Sequence, residues 1–415
     1  VTQNEGPLSN RSAVRRLAAA RLVSVAGSTG ADIALAFMVY ERTNSALWLS
    51  AMYLLTFGVT GLMSPIAGLL ADRLNRRALM VASELLCACA FVGLIWVEDP
   101  RGLLAVGFLA AVCHSPFSPA SAAAVPNLVR EDDLSWANGL VSVSGNLGRM
   151  IGPALGGVLV ASLGGDWVFA INAASFMVSA CLIGTARGTY EETVRALPQR
   201  LGSGLTLGLR AIMGNPLLAS ILVASTTMWF ALDIAVVADL PLAGLFNVGS
   251  VGYGLINAVF GVGSVVGAVL ARRLTTRYEP LALLGATFGA GLAWVIVGVA
   301  PVFLVVLLGQ LLAAGTDALG SVATDNIVQR STLDRMRGRV FAAIIGAGYL
   351  ANVAAFAVAG VIAQAVGARG VYLVGAAGAS LAGLAIWGPV KTLRQQSLGL
   401  PKTTDLSREG SREST

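Results

Sequence analysis

Residues 139–157 read GLVSVSGNLGRMIGPALGG, an apolar stretch that holds six glycines, one proline and one arginine. At about 100° per residue, Gly145, Arg149, Gly152 and Gly156 share one narrow helical face, with Gly148 beside it. Small residues on such a face admit a second helix closely, as they do in membrane bundles. An arginine on it is tolerable only where the face meets protein or water. Pro153 brings no backbone donor and softens the helix just beyond Arg149. The stretch reads as a membrane-spanning helix made for close packing.

The rest of the chain agrees. Of its 415 residues 56% are hydrophobic and 12% charged, and the mean hydropathy is +0.76. A soluble domain carries about 25% charged residues, so the deficit marks an integral membrane protein. Twelve apolar runs, at 17–41, 47–71, 78–97, 102–125, 135–162, 167–187, 216–240, 249–271, 280–299, 302–324, 340–364 and 369–390, are each of a length to cross a bilayer. The opening residues are polar and no cleavage site follows, so the first run is expected to be a retained signal-anchor.

Charge orients the spans. Arginines gather in alternate loops, among them Arg73, Arg76, Arg77, Arg130, Arg200, Arg272, Arg273, Arg337 and Arg339, whereas only Arg42, Arg101 and Arg369 fall in the others. The positive-inside rule therefore puts both termini in the cytoplasm. The formal net charge of +6 belongs to a membrane surface and gives no reason to expect nucleic acid as a partner. Arginine used almost to the exclusion of lysine, with abundant Ala and Gly, points to a bacterial inner membrane.

The chain also repeats. Ala71-Asp72-Arg73-Leu74 is echoed by Ala271-Arg272-Arg273-Leu274, and Asn127-Leu128-Val129-Arg130 by Asn326-Ile327-Val328-Gln329. Two six-span halves facing the same way follow from this, with a substrate site between them near the midplane. The expected organisation is a cytoplasmic segment 1–16, a six-helix bundle 17–187, a cytoplasmic linker 188–215, a second six-helix bundle 216–390 and a polar, disordered tail 391–415. The whole is an all-α polytopic membrane protein of twelve transmembrane helices in two pseudo-symmetric bundles.

Several chemistries find no support. Cys87, Cys89, Cys113 and Cys181 lie inside spans, Cys87-x-Cys89 is too tight for a zinc pair, and the only histidine, His114, stands elsewhere. They read as small buried hydrophobes. Both lysines, Lys391 and Lys402, lie in the tail, which leaves no P-loop lysine. The sequence gives no reason to expect a metal, a cofactor, ATP hydrolysis or enzymatic activity.

The segment Gly68-Leu69-Leu70-Ala71-Asp72-Arg73-Leu74-Asn75-Arg76-Arg77 resembles the signature loop of the major facilitator superfamily, with Asn75 where that pattern usually has glycine. Gly139, Gly148, Gly152, Pro153, Gly156 and Gly157 match the family's antiporter motif, G-x8-G-x3-G-P-x2-G-G, at every position. Ala137-Asn138-Gly139, Ile171-Asn172-Ala173-Ala174-Ser175-Phe176 and Arg337-Gly338-Arg339-Val340-Phe341 are similar to the branch holding macrolide-efflux proteins and the enterobactin exporter. The resemblance implies proton-driven export of a small molecule by alternating access. It also implies that Asp72 meets the start of span eleven in the outward-facing state. Gly68, Asp72, Arg73, Arg76, Arg77, Arg337 and Arg339 are then assigned to switching between states. Span four lacks the arginine motif of the better-known multidrug exporters, which leaves Arg149 as the available membrane-embedded cation.

For proton coupling the candidates are Asp32, Arg149, Asp233, Asp317 and His114. Counted from the expected span starts, Asp32 and Arg149 lie at similar depth, about 22 and about 21 Å from the cytoplasm. A carboxylate in low dielectric takes up a proton readily and a neighbouring cation opposes this, so an arginine that moves would switch proton affinity. The alternative is a static ion pair joining spans one and five. His114 is expected to make one hydrogen bond across helices, or else to relay protons. Glu84 is expected to meet the arginines of the adjacent loop, and Asp239 and Asp325 to be solvated or structural. Aromatics such as Tyr53, Trp229, Tyr253 and Phe356 are candidates for packing or for an apolar cavity. The expected protein is a monomer that exports a hydrophobic or amphipathic compound in exchange for protons. Rivals are export of one endogenous metabolite such as a siderophore, lipid movement, and a non-transporting receptor or scaffold.

Overall fold

Helix starts and stops follow local chemistry. Asn10 opens span one (Arg11–Thr43) by accepting a hydrogen bond from the Ala13 amide at 3.0 Å, and Asn75 does the same for Ala78 at 2.9 Å at the head of span three (Arg76–Leu94). Asn75, the departure from the family loop, thus works as a helix cap. Asp99 caps span four (Pro100–Leu128) at Gly102, with Pro100 in the first turn where its missing donor costs nothing. Span two is Ala46–Arg73, span five Leu134–Leu163 and span six Gly165–Thr185.

The second half runs as Pro216–Leu245, Gly249–Ala271, Glu279–Gly298 and Phe303–Ser331 for spans seven to ten. A last helical stretch, Asp334–Ser397, is parted at Gly367 (φ 71°, ψ 170°) into spans eleven and twelve. The computed structural model describes residues 10–186 and 201–397, all the regular structure of which is helical. Left-handed residues mark the repeat: Asn44 and Asn247 close spans one and seven, and Gly164 and Gly367 close spans five and eleven. Both pairs have the same separation in sequence; Asn tolerates the left-handed helical region of Asn44, and only glycine readily takes the extended, positive-φ backbone of Gly164 and Gly367.

Four expectations shift. Span one begins at Arg11 rather than 17. Span four breaks at Ser115-Pro116 between helices Pro100–His114 and Phe117–Leu128, because proline cannot continue the hydrogen-bond ladder. Within the expected linker, Leu201–Met213 is a helix, and span twelve continues through 391–397. Residues 1–9, 187–200 and 398–415, which hold most of the expected N-terminal segment and tail and half of the linker, lie outside the described residues.

The chain forms two compact units. Unit 1 comprises Val1–Pro198, Val237–Ala258 and Phe356–Ala365; unit 2 comprises Gln199–Val236, Val259–Ala355 and Val366–Thr415. In unit 1 the arginine-rich end is closed by Val14, Leu17, Met80, Phe117, Leu128 and Ile183, and in unit 2 Ile212, Ile327, Val340 and Ile386 make a comparable cluster. Large apolar side chains such as Leu86, Leu155, Val158, Leu292, Leu304 and Leu384 stand exposed along the helices. A surface of that kind belongs in hydrocarbon, where it costs nothing to leave it uncovered.

Candidate transport site

Spans one and five of unit 1 pack backbone to backbone. A methyl group added at Gly148 would meet the Ala26 amide and Val25 Cβ at 3.0 Å, one at Gly152 would strike the Ala26 backbone and Thr29, and one at Gly156 the Gly30 backbone. Gly148, Gly152, Pro153, Gly156 and Gly157 are all buried, while Gly139 is exposed with open space around it. The motif glycines therefore act as a packing surface except the first.

These contacts also set the register. Both spans run in the same direction, and Gly148 is level with Val25 and Ala26, Gly156 with Gly30. Arg149 accordingly stands six or so residues before the level of Asp32, about 10 Å along the axis at about 1.5 Å per residue. The two are not at one depth; the earlier start of span one shifts Asp32 onward. Arg149 is exposed and donates to Asn146 Oδ1 at 2.9 Å, and its electrostatic neighbour is Arg21. Arg21 packs on Gly145 and its Nε is buried without a hydrogen-bond partner. Among the described residues neither arginine, nor Asp32, makes an ion pair.

Asp32 instead lies in electrostatic reach of a tyrosine pair at the opposite end of unit 1. The hydroxyls of Tyr53 on span two and Tyr253 on span eight hydrogen-bond each other, although the residues are 200 apart. They occupy matching places in the two repeats. Ser50 and Ser250, one turn earlier on the same two spans, match in the same way. Ser50 Oγ donates to the Phe356 carbonyl and accepts from the Gly360 amide at 2.9 Å, on span eleven; Ser250 Oγ donates to the Gly157 carbonyl at 3.0 Å, on span five. Tyr53 stacks on Phe356 with ring centroids 5.4 Å apart. A methyl group at Gly157 or Gly254 would collide with the other's helix, so those two helices touch backbone to backbone. Buried Asp239 also lies near the tyrosines. Directly after Tyr53, residues Leu54–Gly58 widen into a π turn, a distortion that often marks a functional position.

Unit 2 contains a cavity of about 330 Å³ walled by Met228, Trp229, Phe341 and Ile344, with Asp317 and Asp325 in its lining. Its size and its mixture of apolar wall and a few polar groups suit a small organic molecule. Asp233, one turn beyond Trp229, accepts a hydrogen bond from Asn352 Nδ2 at 3.1 Å. Of the coupling candidates, then, Asp233 and Asp317 belong to unit 2 and Asp32, Arg149 and His114 to unit 1.

His114 ends the first segment of span four. Its ring stacks on Phe117 (5.6 Å, 12°) and meets Phe176 (5.9 Å), and its buried Nε2 has no hydrogen-bond partner. The hydrogen bond across helices expected of His114 is thus not made by Nε2 among the described residues. Glu84 does not meet loop arginines either. It is fully buried, and Ser24 Oγ on span one donates to its Oε1 at 3.0 Å. The loop arginines have other partners: Arg76 donates to the Ala123 carbonyl at 3.0 Å and Arg77 to that of Gly184. Asp72 and Arg73 are exposed, and Gly68 has open space about it. In unit 2, Arg337 donates to Asp334 at 2.7 Å and to the Gln329 carbonyl at 2.9 Å, while Arg339 points at Met336 Sδ.

The sequence does not mark Phe341 as a cavity wall, nor Ser50 and Ser250 as contacts, and it points Glu84 to the wrong neighbours. The 200-residue repeat carried the signal for the serines, since each sits three places before a matched tyrosine.

With this geometry in hand, comparison with known proteins gives one picture. The family model described as transmembrane secretion effector matches residues 4–399. Enterobactin exporter EntS of Salmonella typhimurium is 26% identical over 345 residues, 80% of this chain and 81% of that protein, and its counterpart in Citrobacter koseri matches to the same extent. Among solved structures, the nucleoside transporter NupG superposes with a TM-score of 0.71 at 12% identity, covering 91% of this chain and 98% of that one. A bacterial homologue of the iron transporter ferroportin gives 0.70 at 18% identity over 91% and 98%. A match over nearly its whole length places the chain: it belongs to the transmembrane secretion effector family of the major facilitator superfamily, and is a multi-pass membrane transporter.

Proposed function

We propose that the protein exports an amphipathic small molecule in exchange for protons, by alternating access between its two six-helix halves. The observation that carries this reading is the unit 2 cavity, where apolar and aromatic walls stand beside the Asp317 carboxyl. A substrate and a proton that compete for one carboxyl are thereby exchanged rather than carried together. Asp32, in reach of the Tyr53–Tyr253 pair, is the matching group in the other half, and Asp233 is the group that Asn352 holds in place. Asp72, Arg73, Arg76 and Arg77, with Arg337 and Arg339, are assigned to switching between states. Both termini are cytoplasmic, the membrane is the bacterial inner one and the working unit is a monomer.

The test is export from energised inverted vesicles by Asp317→Asn and Asp32→Asn. Loss of proton-driven transport with substrate exchange retained supports the reading, and undiminished proton-driven transport by both variants removes it.

A second reading is favoured by one observation. Arg21 and Arg149 lie close together in unit 1, and among the described residues no carboxylate pairs with either. Two uncompensated cations favour a substrate with acidic groups, and relatives of this chain are named as enterobactin exporters. On this reading a single acidic metabolite such as a siderophore is the cargo. Competition between structurally unrelated drugs and enterobactin for transport separates the two.

A further inference from the structure

Glu84 is the most deeply buried carboxyl in unit 1 among the described residues, with 0% of its surface exposed. It lies eight residues into span three, about 12 Å from the helix start. Its partners are hydroxyls. Ser24 Oγ on span one donates to Oε1 at 3.0 Å, and the Ser179 hydroxyl on span six faces the same carboxyl. Oε2 and Ser179 Oγ are both buried, and the Ser179 hydroxyl faces the carboxyl without closing a hydrogen bond of full geometry among the described residues. The other titratable groups nearby are Cys87 on its own helix, which neighbours Glu84 and Cys113 of span four. Farther on come His114 of span four and Arg21 of span one, which neighbour each other. None of these forms an ion pair with Glu84.

An ionised carboxylate removed from water without a counter-cation costs several kcal/mol or more, on the order of the largest penalties in folding. A proton on the carboxyl removes that penalty. The protonated oxygen becomes a donor, and the hydroxyls that face the carboxyl can accept from it as well as donate to it. We propose that Glu84, Ser24 and Ser179 form a proton-binding site, separate from the unit 2 cavity, that clasps span one to spans three and six when occupied. Releasing the proton leaves a bare carboxylate, so span one must then shift to admit water or a cation. The site itself rests on this geometry; its place in the export cycle rests on the proton-coupled reading above.

The experiment is infrared spectroscopy of the purified full chain, with Glu84→Gln as the reference, because glutamine has the shape and hydrogen-bonding capacity of the neutral acid. The expected result is a carboxylic-acid carbonyl band at neutral pH that is absent from Glu84→Gln and indifferent to replacement of choline chloride by sodium chloride. An unchanged band in Glu84→Gln, or its removal by sodium, overturns the proposal, the second by making the site one for a metal cation. Should Glu84→Gln fail to accumulate, Ser179→Ala keeps the carboxyl and must move the same band to higher frequency. A band that stays in place also overturns it. No substrate enters these measurements, so lack of proton-linked flux in vesicles removes the export reading without touching this one.

Discussion

Spans one and five, and spans seven and eleven, hold matching places in the repeat, yet they pack in different ways. Gly148 and Gly152 of span five correspond to Gly348 and Asn352 of span eleven. In the first pair the glycines lie against the backbone of Ala26 and Gly30, and the helices touch directly. In the second the Trp229 ring fills the space opposite Gly348, and Asn352 reaches across to Asp233. Glycine on both sides fixes a distance and leaves no room for chemistry. In the second pair side chains stand between the helices, and residues of both line the unit 2 cavity.

The contrast can be broken most strongly at Gly152. Leucine there meets fixed backbone at Ala26, so export should be abolished and the yield of monodisperse protein should fall, with a destabilisation of about 3 kcal/mol or more. Normal accumulation and transport by Gly152→Leu would show that the interface is not close-packed. The next effect separates the two buried glutamates on corresponding spans. Glu279 of span nine pairs with Arg330 and accepts from Asn326 Nδ2 at 3.0 Å, whereas among the described residues Glu84 has only the Ser24 and Ser179 hydroxyls. Arg330→Met strands Glu279 and should cost about 2 kcal/mol in thermal unfolding in detergent, a value moderated by the half-exposure of the arginine.

Alanine sharpens the helix-pair comparison further. At Gly156 the added carbon meets the Gly30 backbone, which cannot step aside; at Gly348 it meets a ring that can turn into the cavity. Gly156→Ala should therefore destabilise more than Gly348→Ala, and the opposite order would reject side-chain spacing in the second pair. For the tyrosines, Tyr53→Phe, Tyr253→Phe and the double variant should each lose about 1 kcal/mol, because all three break the same hydrogen bond. Additive losses would mean that each hydroxyl has a second partner. The smallest effect belongs to Gly139, a full member of the matched motif with open space around it. Gly139→Ala should leave export unchanged and stability within about 0.5 kcal/mol.

Much of this was legible from residues 139–157 and from the repeat. Apolar length and loop arginines locate the spans, since a bilayer imposes both. The burial of Gly148, Gly152 and Gly156 followed from helical periodicity alone. Register did not follow, because depth was counted from a span start that Asn10, a capping side chain before the apolar run, moves toward the terminus. Glu84 was misplaced for a related reason. Distance along a helix says how deep a residue lies but not which neighbours face it, and its serine partners come from spans one and six. The unit 2 cavity is likewise a product of Trp229, Asp317 and Phe341 meeting from three different spans.

The serine and tyrosine contacts at the far end of unit 1 carry a consequence on the scale of membrane energetics. Four hydrogen bonds close that end: one between the tyrosines, two at Ser50 and one at Ser250. At about 1 kcal/mol each they amount to about 4 kcal/mol. One elementary charge crossing a potential of about 100 mV releases about 2.3 kcal/mol. If the proposed proton coupling holds, one or two protons per cycle would match the work of undoing these bonds, a closure tight at rest and within reach of an energised membrane.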